Sequence, residues 1–272
     1  MALDGKSLIV GAPEKSISGR SQQGAAFAFV AGASGWAEQA TLVASDGAAE
    51  DGFGTSIAIA GDTALIGVPY DDVSGSADQG SAYVFTRSGS TWTQRARLNA
   101  PGGAGGDNVG RSVALLPGLA AVGAPFIDVA GRSNEGTVTV FAGGGSTWTP
   151  AAWLSGVGPE RASWFGDAVD VYGDTAIVGA DYEDVGANAR QGAAYVCVRN
   201  GLTWSLQARL FAADGAAEQH FGKSVAVEGN IALVGTSSGA AYVFVRSGGT
   251  WSQEVKLSAP VGGSHFGDSV AL

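Results

Sequence analysis

Cysteine occurs once in 272 residues, at Cys197, methionine once and histidine twice, and charged residues make up only 15%. The single cysteine excludes a disulfide within the chain and leaves the redox compartment open. Two histidines, with no HExxH or comparable spacing, leave little from which to build a zinc centre. Lys and Arg total 15 against 25 Asp and Glu, a net charge of −10, so a phosphate backbone is an unsuitable partner. No run approaches the ~18 apolar residues of a membrane span. No secretory leader is recognisable at the start, and no stretch carries a convincing helical period.

What the chain has instead is glycine, 44 residues of it, and a strict beat of tryptophan. Trp36, Trp92, Trp148 and Trp204 are spaced by 56 residues, and Trp251 follows after 47. Each closes a small polar segment such as RSGSTW or RNGLTW. A second marker keeps the same period: Phe53-Gly54, Val109-Gly110, Phe165-Gly166, Phe221-Gly222 and, after 45 residues, Phe266-Gly267. A fixed period of this length means one supersecondary unit copied along the chain.

Within each unit, four apolar alternating runs are separated by glycine-rich punctuation, which reads as four strands, A to D. Four strands per repeat of roughly 50 residues match a propeller blade. The expected fold is therefore all-β, a five-bladed β-propeller of four-stranded antiparallel blades in one domain spanning 1–272. Its blades fall at 264–272 with 1–45, 51–100, 106–157, 163–213 and 218–260. Gly61-Asp62, Gly173-Asp174, Gly229-Asn230 and Asp4-Gly5 fit tight A–B hairpins. The B–C and D–A connections are long. In an up-and-down blade they share one face, where binding residues concentrate.

The chain starts within a blade and stops at FGDSVAL, which matches a strand A. Placed before DGKSLIVGAP it completes an inner hairpin, so the C-terminal strand A is expected to pair with the N-terminal strand B and close the ring. The Ala-Leu pair at both ends (residues 2–3 and 271–272) suggests a piece cut from a longer array.

The Phe-Gly opening strand A and the Gly-Ala-Pro closing strand B (Gly11-Ala12-Pro13, Gly123-Ala124-Pro125, with Gly67-Val68-Pro69 as a variant) resemble FG-GAP repeats. Such repeats build the N-terminal propeller of integrin α subunits and occur in many bacterial surface proteins. The resemblance covers essentially the whole chain. It implies a propeller, an extracellular or cell-surface setting, and ligand recognition on the B–C and D–A loops. Integrin propellers have seven blades, against five here. Several integrin blades also hold calcium in a D-x-D-x-D-G loop between strands A and B. The corresponding turns here, such as AGDTA and EGNIA, are shorter and poorer in carboxylates. No cofactor is expected, calcium entering only through the resemblance.

Candidate ligand residues lie in the B–C loops: Tyr70, Asp71 and Asp72; Phe126 and Asp128; Tyr182, Glu183 and Asp184. They form either a ring of carboxylates beside aromatics or a set of Asp residues capping their own loops. Trp164, outside the repeat, is a further candidate contact. The residues after each Phe-Gly pair, Thr55, Arg111, Asp167, Lys223 and Asp268, are expected at a channel mouth. There Asp167 and Asp268 could act as an acid/base pair or be neutralised by Arg111 and Lys223. His220 and His265 precede their Phe-Gly pairs and read as loop residues, and Cys197 replaces the Phe of strand C as a core filler.

The functional expectation is a non-enzymatic binding or adhesion module with a protein or glycan ligand, no nucleic acid and no membrane insertion. The alternative is a lectin with sugar sites between blades at the repeated Trp; a channel-mouth glycoside hydrolase is third. A monomer is expected, or a strand-swapped oligomer should the termini not close.

Overall fold

Strands form wherever the sequence alternates, and each repeat folds as a four-stranded antiparallel meander. The structure is a computed structural model that describes residues 1–156, 162–259 and 265–272. The first sheet comprises β1 (Ala2–Asp4), β2 (Ser7–Ala12), β3 (Ala25–Gly32) and β4 (Gly35–Leu42). The second comprises β5 (Ser56–Ala60), β6 (Thr63–Val68), β7 (Ser81–Ser88) and β8 (Thr91–Leu98). The third has β9 (Ser112–Leu116), β10 (Leu119–Ala124), β11 (Thr137–Gly144) and β12 (Thr147–Leu154). The fourth has β13 (Ala168–Tyr172), β14 (Thr175–Ala180), β15 (Ala193–Asn200) and β16 (Thr203–Leu210). The fifth has β17 (Ser224–Glu228), β18 (Ile231–Gly235), β19 (Ala240–Ser247) and β20 (Thr250–Ser258). Among the described residues there is no helix.

Burial follows strand position. β10 and β14 are buried along their whole length, whereas β8 and β16 expose much of theirs. Inner strands covered on both faces must therefore be continuously apolar, and outer strands need not be. The same register shift recurs in the outer pairing of four sheets, at Ala28/Phe29, Val84/Phe85, Val196/Cys197 and Val243/Phe244.

The chain divides into two compact units, 1–127 with 139–151, and 128–138 with 152–272. In the first, Phe53, Ile66 and Tyr83 anchor one core cluster and Val84, Val109 and Phe141 another. In the second, Ile177, Phe221, Tyr242 and Trp251 belong to one cluster.

The two glycines of the sequence motif have one shared job. Gly54 donates its N–H to Gly67 O at 3.2 Å, lengthening its own inner hairpin. Its carbonyl meanwhile abuts the preceding sheet, where a Cβ on Gly11 would lie 2.0 Å from Gly54 O. Gly67 and Gly110 repeat this approach, as do Gly179 and Gly222. Only glycine permits backbone to touch backbone there.

The expected pairing of the C-terminal segment with strand β2 is not formed. β2 takes its inner pairing from β1, in register Ala2↔Ile9 and Asp4↔Ser7, and residues 265–272 lie in no strand. The local hairpin wins because a two-residue loop costs far less closure entropy than one spanning the chain. Its loop is Gly5-Lys6 rather than Asp4-Gly5, since Asp4 is still paired.

Candidate functional site

The long loops are not loose. In every inner junction the D–A loop is laced to the preceding B–C loop by backbone hydrogen bonds. Glu50 N, Gly52 N and Phe53 N donate to Ser21 O, Gln22 O and Gln23 O at 2.8, 3.1 and 2.9 Å. Glu218 N, His220 N and Phe221 N donate to Ala189 O, Arg190 O and Gln191 O at 2.9, 3.1 and 2.8 Å. Ala162, Trp164 and Phe165 reach Ser133, Asn134 and Glu135 in the same way, which is why 128–138 belongs to the second unit. The lacing holds non-glycine residues in the left-handed region, among them Trp164 (φ 55°), Arg190 (49°) and His220 (55°). Such backbone costs energy and persists only where surroundings impose it.

The repeated acidic signature resolves into two roles. Asp72, Asp128 and Asp184 each accept a backbone N–H six residues on, from Asp78 at 3.0 Å, Asn134 at 3.0 Å and Arg190 at 2.7 Å. They cap their loops. Asp71 and Glu183 instead turn inward, 6% and 0% exposed. Asp71 accepts from Ser81 Oγ and from Tyr83 Oη at 3.2 Å, and lies 2.6 Å from Arg97 Nη2. Glu183 accepts from Tyr195 Oη at 2.7 Å and lies 2.5 Å from Arg209 Nη2. Burial raises both carboxyl pKa values, and the hydroxyl and guanidinium partners oppose it. The expectation of a solvent-facing carboxylate ring is thus corrected for these two, because a Tyr and an Arg draw them into the sheet. The fifth sheet keeps a variant: Tyr242 Oη donates to Asp214 at 2.9 Å, and Lys256 Nζ lies 2.7 Å from the same carboxylate.

Tyr70 remains 40% exposed and Phe126 half-buried. Thr55 spends its hydroxyl on Gly52 O at 2.7 Å, and Arg111 is half-buried. Asp268 pairs with His265 Nδ1 at 2.8 Å on the surface. Cys197 is buried, which pushes its thiol up to about 11.

One cluster in the second unit departs from the repeat. Where three other repeats follow strand B with Pro, at Pro13, Pro69 and Pro125, and the fifth has Ser237, this one has Asp181, 1% exposed. Its Oδ2 lies 3.6 Å from His220 Nδ1 and 3.8 Å from Lys223 Nζ, and its Oδ1 has no hydrogen-bond partner. Lys223 Nζ also lies 3.0 Å from Asp167 Oδ2, so the two expected channel-mouth residues form an ion pair. Glu218 Oε2 lies 3.6 Å from His220 Nε2. The nearby Asp181 carboxylate raises the pKa of His220 against the opposing effect of burial, and burial raises that of Asp181. Above this charge cluster the Tyr182 ring stacks on Trp164, centroids 3.4 Å apart and planes at 19°. The His220 ring tilts against Tyr182 at 4.8 Å, and Arg190 lies over it at 5.1 Å. The structure therefore brings together Trp164, Tyr182, Asp167 and Lys223 from the sequence candidates and adds Asp181. The signal for Asp181 was its substitution for proline in Gly-Ala-Pro.

The repeated Trp serves the opposite end of the blade. Asp62 accepts from Arg87 Nε at 2.8 Å, and that guanidinium covers Trp92 at 5.2 Å. The Trp92 indole N–H donates to Gln39 Oε1 of the preceding outer strand at 3.0 Å. Arg246, Trp251 and Gln207 repeat the arrangement, with an indole donor distance of 2.8 Å. These indoles are spent on packing. Trp36 is 50% exposed.

FG-GAP repeats match at residues 36–85, 92–141, 148–197 and 204–244. None of the curated proteins matches the sequence. Among solved structures, a Bacteroides uniformis protein provisionally named a 6-phosphogluconolactonase is similar at TM-score 0.61 and 12% identity, over 94% of this chain and 68% of that one. The computationally designed Ika8 protein is similar at TM-score 0.54 and 16% identity, over 91% of this chain and 58% of its own. At these identities the likeness shows the fold alone. The expectation that the chain is not an enzyme is nevertheless withdrawn, because a protein named for catalysis shares the architecture. Repeats in register over most of the sequence, built on the backbone approach of their two glycines, place this chain in the FG-GAP repeat family.

Proposed function

We propose that the chain is a ligand-binding module of a surface or secreted protein, and that it recognises a protein or glycan through the laced B–C and D–A loops of the second unit. The observation that carries this reading is the non-repeated cluster of Asp181, His220 and Lys223 beneath the Trp164–Tyr182 stack. In a repeat protein the features common to every copy serve the scaffold. A buried charge in one copy costs stability and is retained against the repeat's own pattern. The loops above it are preorganised by backbone bonds and left-handed residues, so binding orders little. Membership of the FG-GAP repeat family supports the surface or extracellular setting.

The test is a screen of matrix proteins and glycans, followed by titration with Trp164→Ala, Tyr182→Ala and, as a distant control, Trp36→Ala. Loss of at least about tenfold in affinity in the first two with the control unchanged supports the site. Binding indifferent to both substitutions rejects it.

A further inference from the structure

The tight-turn end of the second unit, opposite the long loops, carries its own departures from the repeat. In the second sheet Arg87 reaches back to Ser7 Oγ at 2.7 Å, and Asp62 neutralises it at 2.7 Å. In the fourth sheet Arg199 pairs with Asp174 at 2.8 Å. Arg246 is the corresponding residue of the fifth sheet, and its Nη1 reaches back to Thr175 Oγ1 at 3.0 Å and Gln207 Oε1 at 3.4 Å. Here the acid is missing. The hairpin turn reads Gly229-Asn230 where the others read Gly61-Asp62 and Gly173-Asp174. Nε therefore donates to the neutral Asn230 Oδ1 at 2.9 Å, and Nη2 to Gly229 O at 2.8 Å. Among the described residues every partner of this half-buried guanidinium is uncharged. Arginine keeps its proton in proteins, so the positive charge stands uncompensated.

That charge lines a cavity of about 300 Å³ between the fourth and fifth sheets, together with Tyr172, Asp174, Thr175 and Gly229. Tyr172 is the second departure, since its counterparts are Ala60, Leu116 and Glu228. Its ring is 47% exposed. Asp174 accepts both Arg199 bonds on Oδ1, which leaves Oδ2 open to donors at the rim.

We propose that this cavity binds one acidic sugar ring, a hexuronate. Its carboxylate meets Arg246, its hydroxyls donate to Asp174 Oδ2, and the apolar face of the ring lies on Tyr172. A planar guanidinium lacking an internal acid is suited to a carboxylate. A neutral sugar would leave that charge unanswered, and an inorganic anion would use neither Tyr172 nor Asp174. The volume is at the small end of ligand pockets, which suits a single ring. The Trp251 indole, hydrogen-bonded to Gln207, remains part of the packing behind the site. The cavity shares no residue with the Trp164–Tyr182 cluster, so the two sites stand or fall separately.

Isothermal titration of the whole chain with glucuronate, galacturonate and mannuronate tests this, with glucose and inorganic sulfate as controls. At least one hexuronate is expected to bind at least about tenfold more tightly than either control. Asn230→Asp, which installs the acid present at Asp62 and Asp174, should weaken that binding at least about tenfold without lowering the melting temperature. Tyr172→Ala, at an exposed position, should weaken it as well, and carries the test if Asn230→Asp lowers the melting temperature. Trp164→Ala should change nothing. No hexuronate binding by about 10 mM overturns the proposal. So does sulfate binding as tightly as the best hexuronate, or unchanged affinity in the folded pocket variants. A loss in Trp164→Ala would place the sugar on the loop face and overturn it too.

Discussion

Tyr195 donates its phenolic hydrogen to Glu183 at 2.7 Å, and both residues are 0% exposed. The other oxygen of the carboxylate lies 2.5 Å from Arg209 Nη2, an ion pair across the strand. Tyr195→Phe should cost about 1–3 kcal/mol, the desolvation penalty of a buried acceptor left short of a donor. Arg209→Met should cost more, about 3–5 kcal/mol, because it strands a buried charge. Urea unfolding gives both numbers, and a Tyr195→Phe chain as stable as the wild type would show the network to be idle.

Gly11→Ala should be among the most damaging single changes, about 3 kcal/mol or more, because the new methyl meets a carbonyl of the neighbouring sheet rather than a movable side chain. Gly75→Ala is the matched control: its φ is +88° but nothing lies within 4 Å, so about 1 kcal/mol of backbone strain is all it should show. Equal losses from the two would mean that the glycine approach is not what fixes the spacing of the sheets.

His220 titrates above its ordinary value because the Asp181 carboxylate favours the charged ring. A raised folded-state pKa contributes stability that is complete below the unfolded value of about 6.5 and is lost as pH rises through the folded value. The melting-temperature gap between the wild type and His220→Gln should therefore be widest in mild acid and shrink through neutrality. An NMR titration should find the His220 pKa lowered in Asp181→Asn. An unchanged pKa in that variant would remove Asp181 as the cause.

The five repeated tryptophans should be unequal. Trp251 is 9% exposed, hydrogen-bonded and part of a core cluster, so Trp251→Ala should cost about 3–5 kcal/mol. Trp36→Ala, at a residue 50% exposed, should fall within about 1 kcal/mol. Thermal denaturation of the two variants side by side checks the contrast, and similar losses would contradict it.

The period and strand alternation made the sheets legible in the sequence, because a four-stranded meander is specified locally by apolar spacing and glycine turns. Asp72, Asp128 and Asp184 were legible as one set, and one of the two readings offered for them, loop capping, matches their bonds. Asp71 and Glu183 were grouped with them by adjacency, yet they turn the other way. Their partners Arg97 and Arg209 lie in strand D, 26 residues further along, and only the fold brings these to the loop. A clue existed in the constant 14-residue step from Tyr83 to Arg97, Tyr195 to Arg209 and Tyr242 to Lys256. The first inner hairpin was legible from its turn, placed one residue early at Asp4-Gly5; the added pairing of the C-terminal segment with β2 does not form, because three residues, Ala2–Asp4, suffice for a local ladder.

The lacing of each D–A loop to the B–C loop before it makes the pair, rather than the single loop, the unit that varies on this surface. Lengthening one member displaces carbonyls that its partner needs, so a change of specificity has to be introduced on both sides of a junction together. Grafting a foreign loop into Asp181–Gln191 without its companion at Glu218–Phe221 should yield a folded scaffold with a disordered rim. Transplanting both should carry the loop pair across with its backbone bonds intact.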